Sequence, residues 1–291
     1  MRVRLVAALM ATVLTAGCSA GDPREASPSG APASPASPAP PTGSSSDAPR
    51  AGDPGAGPLA GRVVVLDPGH QLGNRHHAAE IARPVDAGGF EKECNTTGTA
   101  TDDGYPESTF NFEVALVARR ELERRGARVL LTRDADSDDA WGPCVDERGR
   151  VGNPGGSGPT ADVRVSIHAD GVLDRGATGF HVIRPAARRG WTDDIARPSR
   201  RLARLLRDAL VAQGIEPSSY RGTRGIDVRG DLGTLNLSDV PAVMAELGNM
   251  RAGGDAALMQ SEAGRRRYGR AIAAAVLAFL APGLSEPGRR G

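Results

Sequence analysis

The stretch Arg62–His70, RVVVLDPGH, is what most constrains this chain. Val63–Leu66 are all apolar and three of them are β-branched, so they read as a buried strand. Asp67-Pro68-Gly69 ends that strand, because proline offers no backbone donor and glycine lets the chain turn. His70 therefore stands at the carboxyl end of a strand, where open α/β sheets place their ligand sites. A lone histidine there says little until the rest of the chain is read against it.

The following 36 residues, Gln71–Pro106, show no clear period and are rich in Gly, Asn, Thr and charge. A loop of that length inside a compact domain usually has a function. It leaves from one candidate ligand and returns at the next, so it is expected to pass the site and shape access to it. A helix follows, with Ser108 or Thr109 as cap and Asn111, Val114, Ala115, Ala118 and Leu122 on one face. Arg124-Arg125-Gly126 close it, and Ala127–Thr132 is the next strand. Strand, helix and strand make a βαβ unit and hence a parallel sheet. Beyond it come a short helix over Val145–Val151, strands at Ala161–Ile167 and Thr178–Ile183, and an amphipathic helix over Ile195–Ala212. An irregular stretch at Ile226–Asp239 with an edge strand, a strand at Pro241–Leu247 and a closing helix over Ala256–Leu280 complete the pattern. The expected fold is one α/β domain over 62–283, a mostly parallel twisted sheet with helices on both faces.

The N-terminus is an address rather than part of that fold. Arg2 and Arg4 precede the apolar run Leu5–Ala16, which is too short to span a bilayer and reads as an export signal. Leu14-Thr15-Ala16-Gly17-Cys18 resembles the lipobox of bacterial lipoproteins, with Leu14 one position further from the cysteine than usual. The resemblance implies a signal segment 1–18 and lipidation of Cys18. Residues 19–61 are Pro, Ala, Ser and Gly with almost no large apolar side chain, so they cannot bury enough surface to offset chain entropy. They read as a disordered tether, and 284–291 as a disordered tail. The net charge is only +1, which argues against a nucleic-acid partner. Membrane contact is expected only through the lipid, and the protein is expected to be an exported monomer at the outer face of the cytoplasmic membrane or the cell wall as a lipoprotein, otherwise secreted.

Three strands end in or near His70, His168 and Glu246, and a helix begins at Glu107. In a parallel sheet the strand carboxyl ends and helix amino ends share one edge, so these side chains can converge. Two imidazoles and a carboxylate are the ligand set of a catalytic Zn²⁺, which keeps a fourth position for water. A second carboxylate off the metal can move the proton, and Glu246 in apolar company suits that work.

The motifs VVVLDPGH, Glu107 with Asn111 one turn on, SIHADG and PAVMAELGNM resemble the zinc-dependent N-acetylmuramoyl-L-alanine amidases of the amidase-3 type, in wording closest to actinobacterial, mycobacterial-like members. The resemblance runs from Arg62 to Leu280. It implies one zinc per chain at His70, Glu107 and His168, and a catalytic glutamate at Glu246. The implied reaction is hydrolysis of the amide between N-acetylmuramic acid and L-alanine in peptidoglycan. Two departures stand out: Glu107 is followed by Ser108 where many members have Lys, and the preceding loop is long. Glu80, Glu91 and Glu93 are therefore rival third ligands. Glu107 is preferred for its Asn111 and the helix that follows directly.

Other polar residues have plainer readings. His76 and His77 are expected to be solvated, and His181 to be a core or edge residue with a satisfied ring. Asp67 either orients His70 or shapes the turn. Asp170 and Asn249 flank the motifs. The arginine clusters 188–189, 200–201 and 265–267 read as solvated helix faces. Cys94 and Cys144 are the only cysteines after Cys18, and in an oxidising compartment they are expected to pair. Two other functions fit the same residues. One is a zinc carboxypeptidase or endopeptidase on wall peptides. The other is a lipoprotein that binds muropeptides without cutting them, against which the presence of Glu246 argues.

Overall fold

The computed structural model describes residues 57–283. The signal segment with Cys18, the tether as far as residue 56 and the tail 284–291 lie outside the described residues. Strand β1 (Val63–Pro68) leads through a 3-10 turn (Leu72–His76) and the short helix α1 (Ala78–Ile81) into a hairpin of β2 (Pro84–Asp86) and β3 (Glu91–Glu93). Next come α2 (Glu107–Glu123), β4 (Arg128–Leu131), α3 (Val145–Arg150), β5 (Val163–Asp170) and β6 (His181–Pro185). The chain ends with α4 (Ala196–Ala212), β7 (Ile226–Arg229), α5 (Gly233–Asn236), β8 (Ala242–Asn249), α6 (Gly253–Gln260) and α7 (Glu262–Leu280).

The main sheet has six strands in the order β4-β1-β5-β8-β6-β7. β4, β1, β5 and β8 are parallel, as the alternation of strands and helices predicts. β6 runs against β8, and β7 follows β6, so one edge of the sheet is reversed. That reversal brings the start of β6, not its end, to the edge that holds the site.

Side-chain alternation divides the sheet into two unlike faces. Val64 and Leu66, Val163, Val165 and Ile167, and Val243, Ala245 and Leu247 form one large core with α2, α4 and α7. Phe110 of α2 meets Tyr268 of α7 edge-on at a centroid distance of 5.5 Å within it. The opposite face carries smaller apolar groups, Val65 with Val240 and Ala242 with Met244 and Leu235. It also buries a polar row, Asp67, Arg164 and Ser166. Met244 and Glu246 of β8 and His168 of β5 share the parity of that second face, so the site opens on the side where α3 and α5 pack together.

Several local expectations change. α2 begins at Glu107 with Pro106 at its cap, and neither Ser108 nor Thr109 caps it. Thr109 donates to Asp136 instead, at 2.6 Å. The closing helix is two helices, because the Ser261 side chain accepts from the Gly264 amide and starts α7 afresh. The long stretch after His70 is built structure with its own hairpin. Three of the arginines read as solvated cap helix ends. Arg201 donates to the Phe279 and Ala278 carbonyls at the end of α7, Arg265 to Met259 and Gln260 at the end of α6, and Arg267 to Gln213 after α4. No helix among the described residues is long and apolar enough to cross a membrane.

Cys94 and Cys144 form a disulfide across 50 residues. It fastens the end of the hairpin, just after β3, to the start of α3, where Val145 N also donates to Cys94 O at 2.7 Å. Closing a loop of that length lowers the entropy of the unfolded chain by an amount worth about 4 kcal/mol. Urea denaturation of a Cys94→Ser/Cys144→Ser double variant is expected to show a loss of that order. An unchanged midpoint would mean that the bridge constrains nothing the fold does not already hold.

Candidate active site

His70 is delivered by β1, but its own backbone leaves the strand with φ 58°. That left-handed conformation is uncommon for a residue with a Cβ and persists where surrounding contacts enforce it. Its Nδ1–H donates to the Thr96 carbonyl at 3.1 Å. A carbonyl can only accept, so this bond fixes the tautomer and leaves the Nε2 lone pair facing inward. Nε2 lies 3.2 Å from Glu107 Oε1.

Glu107 opens α2 and is buried, with its side chain 4% exposed. Its Oε2 accepts from Thr99 N at 2.9 Å, and its Oε1 accepts from Ala169 N at 3.2 Å and from Asn111 Nδ2 at 3.3 Å. Asn111, expected on the apolar face of the helix, is thus buried as a clamp on this carboxylate. His168 Nδ1 stands 3.1 Å from the same Oε1. The two imidazole rings meet edge-on, 4.9 Å apart at 83°. Glycines make room for them: a Cβ on Gly69 would lie 2.1 Å from His168 Cε1, and one on Gly98 would press on both Glu107 and His70.

These three residues are a cluster whose donor atoms all lie within 4.8 Å of one another. Donors on a tetrahedral zinc, each about 2.0–2.1 Å from the ion, stand roughly 3.3 Å apart. The 3.1–3.2 Å separations about Glu107 therefore fit that ion, as does the carbonyl held on the far nitrogen of His70. Burial alone would pull the His70 pKa down, but Glu107 outweighs it and the ring is shifted upward. Burial would likewise raise Glu107, yet the two histidines hold its carboxyl well below the usual range. The site is thus built to keep the carboxylate charged.

Glu246 lies opposite His168 in the β5–β8 register and opposite His181 in the β8–β6 register. It is half-buried, and burial, reinforced by the Asp170 and Glu107 carboxylates, pushes its pKa well above the ordinary value. The groove beside it has a volume of about 370 Å³. Its far wall is Val145, Leu232, Thr234 and Met244, and the hairpin contributes Lys92 and Glu93. The segment after His70 therefore does border the site.

The rival acids are elsewhere. Glu80 pairs with His77 at the surface, while Glu91 and Glu93 are exposed on β3 and absent from the cluster. His76 faces Asp138 in solvent. Asp67 does not touch the His70 ring; it holds Arg148, Thr132 and Ser166 beneath it. Asn249 clamps the loop after β5 by donating to Val172, Asp174 and Ala177 carbonyls. Asp170 accepts from the Tyr220 hydroxyl at 2.7 Å. His181 corrects an expectation: it is buried, but its Nδ1 makes no hydrogen bond, standing 3.4 Å from Asp170 Oδ2. Two residues escaped the sequence reading, Thr96 and Arg148. Thr96 acts through its backbone, which carries no side-chain signal, and Arg148 sits in a short helix whose burial no local pattern announces.

Residues 64–278 match the family model described as N-acetylmuramoyl-L-alanine amidase, and the chain belongs to that family. It is 42% identical over 224 residues to the N-acetylmuramoyl-L-alanine amidase Rv3717 of Mycobacterium tuberculosis, which covers 77% of this chain and 88% of that protein. The crystal structure of the amidase Ami1 from Mycobacterium smegmatis superposes with a TM-score of 0.69 at 41% identity, over 76% of this chain and 98% of that one. Ami1 from Mycobacterium abscessus gives 0.68 at 41% identity, over 76% and 99%.

The raised pKa of Glu246 has a consequence for stability. The folded state holds this proton more tightly than the unfolded chain, so its contribution is full below pH 4.5 and is lost as pH rises through the folded pKa. Metal-free Glu246→Gln is therefore expected to melt higher than the metal-free parent at pH 8, with the gap closing toward pH 4. Equal melting temperatures at pH 8 would mean that Glu246 is not held against its charge.

Proposed function

We propose that this chain hydrolyses the amide joining the lactyl group of N-acetylmuramic acid to L-alanine in peptidoglycan. His70, Glu107 and His168 hold one zinc ion in this reading, and Glu246 is the proton carrier. The observation that carries it is the convergence of three donors on one point, Glu107 buried and the two histidines partly so, with a further, raised-pKa carboxyl directly across the strand pair from His168. When bound, zinc supplies a Lewis acid that lowers the pKa of water and polarises an amide carbonyl.

The chain's own residues divide the remaining work. Thr96 keeps the proton on Nδ1 of His70, so that Nε2 stays a donor to metal. Glu246 takes a proton from the attacking water and returns it to the leaving nitrogen of L-alanine. Its environment suits both directions, because neighbouring carboxylates and burial make it a stronger base than a free carboxylate. The groove between the hairpin and Leu232 receives the substrate beside that carboxyl. The family membership and the mycobacterial relatives support the substrate class. We further propose that the protein is exported as a monomer and anchored through a lipid at Cys18, with 19–61 as its tether. Globomycin-sensitive processing tests that anchor, and cleavage at another bond without lipid would remove it from the account.

Glu246→Ala is expected to lower turnover about 10²–10⁴-fold while keeping zinc. An active variant would end the assignment. Digested peptidoglycan is expected to show intact stem peptides with a new amino-terminal L-alanine; release of D-alanine alone would point to a carboxypeptidase. The acid limb of kcat/KM is expected above the ordinary carboxylate range, since Glu246 must lose its proton to act as base. A limb at pH 4–5 would contradict that role.

A further inference from the structure

Arg148 is 2% exposed, and its guanidinium is spent entirely on one small region. Nε donates to Pro143 O at 2.9 Å. One terminal nitrogen donates to Asp67 Oδ1 at 2.8 Å, to Pro68 O at 2.7 Å and to Thr132 Oγ1 at 3.2 Å. The other donates to His70 O at 2.6 Å and to Gly142 O at 3.1 Å. A second buried guanidinium, Arg133, donates to Pro68 O at 3.0 Å and Gly69 O at 3.4 Å. Three successive carbonyls, of Pro68, Gly69 and His70, are thus turned toward two buried cations.

That turning is what the left-handed His70 requires. A residue with a Cβ reaches φ 58° only where contacts on its flanking peptides enforce it. Arg148 is the side chain that grips the His70 carbonyl itself, and the opposite side of the residue is then aimed at Glu107. The same guanidinium holds the carbonyls of residues 142 and 143, immediately before Cys144. The disulfide carries the path to Cys94, Asn95 Nδ2 returns to Pro143 O at 2.8 Å, and Thr96 O receives the His70 ring. A closed circuit therefore surrounds His70, with its backbone held at one end and its ring at the other. Neighbouring contacts of this kind typically change metal affinity 10–100-fold when removed.

We infer that Arg148, held in place by Asp67, is a positioning residue that sets His70 for metal binding. The inference rests on the zinc reading of the site, and the two are separable by experiment. Zinc dissociation constants are measured by chelator competition on the oxidised protein and on Arg148→Lys, which keeps the charge but loses the fork. Leu210→Ala, in the core of α4, serves as a control for lost stability without a change near the site. Arg148→Lys is expected to weaken zinc about 10–100-fold, Leu210→Ala not at all. Saturating zinc is expected to restore kcat in Arg148→Lys with KM unchanged, whereas a substrate contact would raise KM. If Arg148→Lys does not fold, Asp67→Asn leaves Arg148 present but frees its anchor, and a smaller weakening of zinc is expected. Zinc affinity equal to the parent in the folded variant, or a loss no larger than that of Leu210→Ala, overturns the inference. A parent protein that binds no zinc overturns the metal reading itself.

Discussion

The buried ion pair of Asp67 with Arg148 underlies this structure. Asp67 lies on the thinner face of the sheet, where Ser166 and Thr132 also donate to its carboxylate. Burial would raise its pKa, but Arg148 and these donors hold the carboxyl far below the usual range. A buried pair of this kind adds little net stability over an apolar substitute, because both charges give up their hydration. What it adds here is direction. A leucine at 148 could fill the space, but it could not turn the Pro68 and His70 carbonyls, and the chain would have no reason to leave β1 with a left-handed histidine.

The two faces of the sheet divide the labour accordingly. The face toward α2, α4 and α7 carries the apolar burial that folds the chain. The other face, thinly covered by α3 and α5, tolerates a row of charge and opens into the groove. Glu107 reaches the site from the first side, as the opening residue of α2, and meets His70 and His168 at the carboxyl edge. A buried carboxylate between two imidazoles is an expensive arrangement without a cation, and it is supported by two backbone donors and Asn111. Glu246 has the opposite environment. Burial, reinforced by the Asp170 and Glu107 carboxylates, outweighs the pull of Arg229 and Arg221, so it resists ionisation. Two neighbouring glutamates are thus pushed in opposite directions, one toward its charged form and one toward its neutral form.

The long segment after His70 is held to this frame by covalent and polar means. The disulfide, Asn95 and the Val145 amide tie the end of the hairpin to α3. Lys92 donates to the Asp231 carbonyl at 3.1 Å across the groove. The segment without periodicity is therefore ordered by partners far away in sequence, which is why its sequence looked like a loop.

The amino-acid sequence by itself determined the strands at 63–66, 161–167 and 241–247, because an apolar run bounded by turn residues is a local signal. It also pointed to His70, His168 and Glu246 as candidates near the carboxyl ends of such runs, although β5 and β8 continue past them to Asp170 and Asn249, and the family motifs singled out Glu107. It left Glu80, Glu91 and Glu93 in contention, because distance along the chain does not measure distance in space. Only the tertiary structure brought Glu107, and none of its rivals, together with His70 and His168, reversed β6 so that His181 faces Glu246, and split the last helix at Ser261. It alone revealed Thr96 and Arg148. A backbone carbonyl has no residue type, and an arginine becomes a buried clamp only when Asp67, 81 residues away, supplies its countercharge.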